Sequence, residues 1–127
     1  MKVQIKELKK HQDKRGILYE LYKDKNKGQF YFSTSKPGMI RGGHYHTRKW
    51  EIFFVIKGKG KIVFEDIKTK KRKEAFLDEK TIKGVKILPG TAHAVKNIGK
   101  EEMILLVYCN EAYNKKDTDT YRYEIEF

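Results

Sequence analysis

About ten short runs rich in β-branched and aromatic residues recur along this chain, each closed by glycine, proline or a charged cluster, and few stretches repeat apolar residues at helical spacing. The predicted strands cover residues 16–22, 29–35, 39–46, 51–57, 61–67, 74–77, 85–88, 92–97, 103–109 and 121–127. Turn signals stand between them at Lys36-Pro37-Gly38, Gly58-Lys59-Gly60, Pro89-Gly90 and Ile98-Gly99-Lys100. So many short strands within 127 residues predict one all-β domain, residues 1–127, built as a sandwich or a closed jelly-roll barrel. Phe30, Phe32, Phe53, Phe54 and Phe64 are expected in its core.

Cys109 is the single cysteine, so an internal disulfide is excluded, and no apolar run of signal length follows Met1. Together these predict a reducing, cytoplasmic location. No run approaches the roughly 20 apolar residues of a membrane-spanning helix. The formal net charge of +12 raises nucleic acid as a partner. Its excess is mostly lysine dispersed over strand-like segments, and the densest cluster, residues 68–73, reads as a solvated hairpin tip. Specific nucleic-acid binding is therefore not expected. A positive surface does favour an anionic small ligand, such as a sugar carried on a nucleoside diphosphate.

The densest chemistry lies in RGGHYHTRKWEIFFVIKG, residues 41–58. Strand alternation puts His44 and His46 on one face and Tyr45 on the other. Glu51 opens the next strand after a short turn, and antiparallel pairing can bring its carboxylate beside both imidazoles. His93 follows the Pro89-Gly90 turn; the fourth histidine, His11, fits no ligand spacing and is expected to cap or pack near the first strand. Three imidazoles and one carboxylate suit a borderline divalent metal such as zinc, nickel, iron or manganese, with positions left for water or substrate. An isolated His-x-His on a strand is more often a surface pair, so the spacing of the whole set has to decide.

That spacing runs Gly43, His44, one residue, His46, four residues, Glu51, six residues, Gly58, and later Pro89-Gly90, two residues, His93, three residues, Asn97. It resembles both motifs of the cupin superfamily. The resemblance implies a double-stranded β-helix, the jelly-roll barrel, with His44, His46, Glu51 and His93 holding a divalent metal, zinc or nickel first. In the second motif the proline adjoins the glycine instead of standing two before it, and the interval from Gly90 to His93 is kept.

A narrower resemblance covers nearly the whole chain. HQDKRGILYE at 11–20, STSKPGMIRGGHYH at 33–46 and HAVKNIGKEEMILLVYCNEAYNKKDTDTY at 93–121 resemble the C-terminal cupin domain of bifunctional capsular-polysaccharide enzymes, whose other domain is an NADPH-dependent reductase. This implies epimerisation, at C3, of a UDP-linked 4-keto-6-deoxy N-acetylhexosamine. Asp13-Lys14-Arg15-Gly16 and Arg41-Gly42-Gly43-His44-Tyr45 are similar, more distantly, to dTDP-4-dehydrorhamnose epimerases, where the histidine matching His44 is the catalytic base and the second histidine is absent. His46 and Glu51 are both present here, which favours His44 as a ligand.

The same resemblances match Arg15 and Glu20 to positions used around the nucleotide diphosphate and base, while Lys36 and Arg41, which flank the strand of His44, are candidates to hold phosphate or the enolate, with solvated surface charge as the alternative. An acid tyrosine of a late strand falls near Val107 and Tyr108, which makes Tyr108 a candidate. The implied protein is a stand-alone epimerase of cell-surface polysaccharide synthesis, a homodimer, passing its keto product to a separate reductase. The same four ligands would also serve a nucleotide-sugar 3,4-ketoisomerase, an iron-dependent oxygenase or a non-catalytic sugar-binding cupin.

Overall fold

A computed structural model describes residues 1, 2, 4 and 7–127, and among them every regular element is a strand. In chain order these are β1 (Lys9–Asp13), β2 (Gly16–Asp24), β3 (Gly28–Ser35), β4 (Ile40–Tyr45), β5 (Glu51–Lys57), β6 (Lys59–Asp66), β7 (Arg72–Asp78), β8 (Val85–Ile87), β9 (Thr91–Asn97), β10 (Met103–Cys109) and β11 (Tyr121–Arg122). They form two antiparallel sheets, β1-β2-β3-β10-β5-β8 and β11-β4-β9-β6-β7. This is the all-β jelly-roll that the strand spacing predicts.

The core follows from alternation. Along β10, Met103, Leu105, Val107 and Cys109 are buried, while Ile104, Leu106 and Tyr108 face outward. On β5 the inward set is Glu51, Phe53 and Val55. With Ile62, Leu77, Ile87 and Val95 from other strands these apolar side chains make one cluster, each contributing on the order of 1.5–3 kcal/mol of transfer free energy. The expectation for the phenylalanines needs correcting. Phe53 is in the core and Phe64 packs on it, but Phe30, Phe32 and Phe54 sit on the opposite parity and lie on the outer face of the six-stranded sheet.

Two elements differ from the sequence reading. β1 is absent from the predicted strands, because KKHQD has no apolar residue; it pairs with β2 through the backbone ladder and one side-chain contact, His11 to Glu20, and all five of its side chains are exposed. A charged edge strand of this kind discourages further strand addition. At the other end the expected strand 121–127 reduces to the two residues of β11.

A bulge in β4 shapes the site. The ladder with β9 runs Gly42 opposite Ala94 and then His44 opposite His93, so Gly43 is the extra residue. Arg41 and His44, three positions apart, therefore both turn inward. Gly42 is at φ +93°, and a Cβ there would come 2.8 Å from the His93 carbonyl oxygen, so only glycine allows β4 this close to β9.

Gly90, at φ +82°, turns the chain into β9, and its N–H donates to the His46 carbonyl at 2.8 Å. A Cβ at Gly90 meets nothing within 4 Å, so Gly90→Ala is expected to cost only the left-handed backbone strain, about 1 kcal/mol. In urea unfolding this is a fall in the midpoint of roughly 0.5 M at unchanged slope. A loss several times larger would mean the turn itself had rearranged.

Candidate metal centre

His44 and His46 come from β4 and the residue just after it, Glu51 from the start of β5, and His93 from β9. One ligand atom from each lies within 4.8 Å of all the others, at the floor of the barrel. Ring centroids are 4.8 Å apart for His44 and His93, 5.0 Å for His44 and His46, and 5.6 Å for His46 and His93. His46, Glu51 and His93 are buried, His93 completely.

Hydrogen bonds behind the rings fix which nitrogens point inward. His46 Nδ1 donates to the Asp119 carbonyl at 2.7 Å, and His93 Nδ1 donates to the Thr91 carbonyl at 3.0 Å. A carbonyl can only accept, so both Nδ1 atoms carry the hydrogen and both Nε2 atoms direct lone pairs at the cluster. There they meet another acceptor, Glu51 Oε1, at 2.8 Å from His46 Nε2 and 3.1 Å from His93 Nε2. The His93 contact lies outside hydrogen-bonding angles, which leaves that Nε2 buried without a partner. Acceptors converging on a buried point call for a cation among them. The donor set, N3O with one face toward a cavity, fits a divalent metal with an open coordination position.

The electrostatics agree. Burial, and then the neighbouring His93, push His44 down to about 4, so its imidazole is neutral and available as a ligand. Burial works against the Glu51 carboxylate, yet the two imidazoles hold it well below the usual range. His46 differs: burial opposes its charge but Glu51 raises it, so a metal entering the cluster has to displace a proton from the line between Nε2 and Glu51 Oε1. Tyr31 completes the floor, its hydroxyl donating to Glu51 Oε2 at 3.4 Å.

Above the floor opens a cavity of about 470 Å³. Lys9, Arg15, Lys23 and Lys49 line it with Glu20 and Glu111, so cations outnumber anions above the floor. Among the other expected site residues, Glu20 also lines it, held by His11 and Gln29; Arg15 is itself paired with Asp13. Three do not reach it. The guanidinium of Arg41 is consumed between the sheets, donating to the Thr34 carbonyl and Ser35 Oγ. Lys36 is exposed in the turn after β3. Tyr108 faces outward by strand parity, its hydroxyl donating to the Lys27 carbonyl and its ring against Phe30 and Trp50.

Asp119 is the support that motif reading missed. Buried and at φ +45°, it accepts the backbone N–H groups of Thr47, Arg48 and Lys49 at 3.0, 2.9 and 3.0 Å, and the Thr47 hydroxyl, while its own carbonyl holds His46. It thereby ties the loop between His46 and Glu51 to the segment before β11. Its only signal in the sequence is the polar run Asp117-Thr118-Asp119-Thr120, which reads as an ordinary turn.

The family model described as the polysaccharide biosynthesis C-terminal domain matches residues 11–121. The chain belongs to this family. Among relatives of the polysaccharide biosynthesis C-terminal domain, it is 38% identical over 111 residues to the UDP-2-acetamido-2,6-beta-L-arabino-hexul-4-ose reductase of Pseudomonas aeruginosa, covering 87% of this chain and 30% of that protein. It is 27% identical to the probable low-salt glycan biosynthesis epimerase Agl13 of Haloferax volcanii, covering 94% of this chain and 85% of that one. The solved capsular polysaccharide assembling protein CapF of Staphylococcus aureus superposes with a TM-score of 0.91 at 31% identity, over 95% of this chain and 33% of CapF. The chain thus spans about a third of the length of CapF and of the Pseudomonas reductase. A solved cupin domain at 18% identity and TM-score 0.65 shares the fold alone, and the two-sheet barrel is a cupin.

Proposed function

We propose that this cupin epimerises a nucleotide-linked 4-keto-6-deoxy sugar during polysaccharide biosynthesis, using a divalent metal, zinc first, held by His44, His46, Glu51 and His93. The observation that carries the reading is the convergence of inward-facing imidazole lone pairs and one carboxylate on the floor of an open, cationic cavity. A metal in this shell supplies a Lewis acid for the oxygen of a ketone. The 4-keto group acidifies the hydrogen on the neighbouring carbon, so inversion needs only removal and return of one proton. Lys9 and Lys23 in the cavity lining attract the diphosphate and orient the sugar inward. The names of the relatives, a glycan biosynthesis epimerase and a hexul-4-ose reductase, support this substrate class.

The test is deuterium wash-in. In D2O the zinc-loaded chain is expected to place solvent deuterium at C3 or C5 of a UDP- or dTDP-linked 4-keto-6-deoxy sugar, read by NMR. No incorporation into any of these sugars would sink the epimerase reading.

A homodimer belongs to the same proposal. Leu21, Tyr22, Phe30 and Ile56 are 37%, 57%, 38% and 39% exposed on or beside the outer face of the six-stranded sheet, a place for a second copy to pack. Sedimentation of the purified chain reads the oligomeric state directly, and a monomer at micromolar concentration would remove that part.

A further inference from the structure

His11 and Glu20 share the cavity-facing side of the β1–β2 hairpin. Lys9 stands opposite Glu20 in the ladder, and His11 follows two residues later on the same face, so imidazole and carboxylate meet diagonally. His11 Nε2 lies 2.7 Å from Glu20 Oε2. The other carboxylate oxygen accepts from Gln29 Nε2 at 3.2 Å, and the buried Gln29 accepts the Tyr113 N–H at 2.8 Å. The side chain of Glu20 is 19% exposed and that of His11 51%, so a fixed carboxylate holds an accessible imidazole. With Nε2–H donating to Glu20, Nδ1 is left as a free acceptor. A base oriented by a carboxylate that is itself oriented by a third group is an arrangement suited to proton abstraction.

The other groups around the cavity are spoken for. His44 and His46 belong to the metal shell, and Glu111 is gripped by the guanidinium of Arg48 at 3.0 Å on both oxygens. The Tyr31 hydroxyl donates to Glu51, and burial pushes the Cys109 thiol up to about 11, so neither offers a lone pair as a base near neutrality. Lys9, Lys23, Lys49 and Arg15 are cations.

We propose that His11 Nδ1 is the general base of the epimerisation, with Glu20 and Gln29 as its positioning residues; this rests on the epimerase reading above. The imidazole takes the proton from the carbon beside the ketone, the C–H electron pair becomes the C=C bond of an enolate, and the carbonyl pair moves onto oxygen. Water returns a proton to the opposite face of that carbon and reverses each shift, while the imidazolium gives its proton to the hydroxide so formed, which inverts the centre and restores the enzyme.

The experiment is the same wash-in measurement at saturating UDP-linked sugar on zinc-loaded variants. His11→Ala is expected to slow incorporation by about 100-fold or more, with added imidazole restoring part of the rate, and Glu20→Gln by roughly 10-fold. His11→Gln keeps a donor for Glu20 without a base and is expected to be as slow as His11→Ala. Zinc content, and UDP affinity by calorimetry, are expected to stay at wild-type values in all three. Wash-in by His11→Ala within about threefold of wild type would overturn the proposal while leaving the epimerase reading standing. Recovery of the rate in His11→Gln, or a loss of UDP affinity at unchanged wash-in, would equally overturn it, by making His11 a structural or a ligand-gripping residue. A wild-type chain that incorporates no deuterium removes both readings together.

Discussion

Glu51→Gln and His93→Ala are each expected to leave the purified chain with less than about one tenth of the wild-type metal and to slow deuterium wash-in more than about 100-fold. A bound zinc in a four-ligand protein site has an apparent binding free energy on the order of 10–16 kcal/mol, so losing one ligand of four removes about 3 kcal/mol, a 100-fold or greater loss of affinity. Glu51 is the more telling position. Its carboxylate is the one anion among the four groups, facing His46 Nε2 with one oxygen and accepting from the Tyr31 hydroxyl with the other. Glutamine keeps its size and removes its charge, so a loss of metal cannot be ascribed to a collapsed pocket. Elemental analysis after dialysis reads the metal, and circular dichroism confirms that the barrel remains folded. Wild-type stoichiometry in both variants would end the four-ligand assignment.

Asp119→Ala is expected to damage stability and metal binding together. Its carboxylate receives three backbone N–H groups and one hydroxyl, and removal strands those donors beneath the loop of residues 47–49. A buried, charge-assisted set of this size is worth about 3 kcal/mol, a fall in Tm of roughly 10 °C for a domain of this length. The His46 ring also loses its fixed carbonyl, and such supporting contacts typically carry 10–100-fold in metal affinity. The acid branch of the stability curve follows from the same group. Burial raises Asp119, but the donors around it outweigh burial and hold it well below an ordinary aspartate. The native state therefore binds fewer protons than the unfolded chain, whose aspartates titrate near pH 3.9. Its stabilisation is complete above about pH 5 and is lost as pH falls through the folded value, so the variant and the wild type should converge in stability at the acid end. A constant difference between them down to pH 2 would mean that Asp119 acts through packing.

Much of this was legible in the strand punctuation. Nine of the ten predicted strands occur near their expected bounds and the tenth shrinks to two residues, because inward apolar residues alternate strictly on β5 and β10 and turn residues mark where the chain reverses. The cluster of His44, His46 and Glu51 was legible for a related reason: two histidines two residues apart at the end of one strand and a glutamate opening the next are local relations, fixed by alternation and one short turn. What stayed hidden is non-local or carried by backbone. β1 has no apolar pattern to betray it, so the pairing of His11 with Glu20 has no sequence signal. Asp119 reaches 70 residues back along the chain to Lys49, a relation that a turn-like polar run cannot announce. Tyr108 shows the converse, a residue whose type suggested chemistry but whose parity on β10 turns it away from the cavity.

The two lips of the cavity are unequal. On one, Asp119 stitches residues 47–49 to the segment before β11, and Arg48 adds Glu111 and Asp117. The other is the β1–β2 hairpin, whose outer strand buries no side chain and is held by ladder bonds and the His11 contact to Glu20. Free energy for local opening follows buried contacts, so the hairpin yields first. Amide hydrogens of β1 are then expected to exchange sooner than those of residues 47–49. Under the proposed epimerisation, the side of the barrel that opens to a sugar is thus the side that carries His11, and opening of the hairpin would carry that imidazole with it.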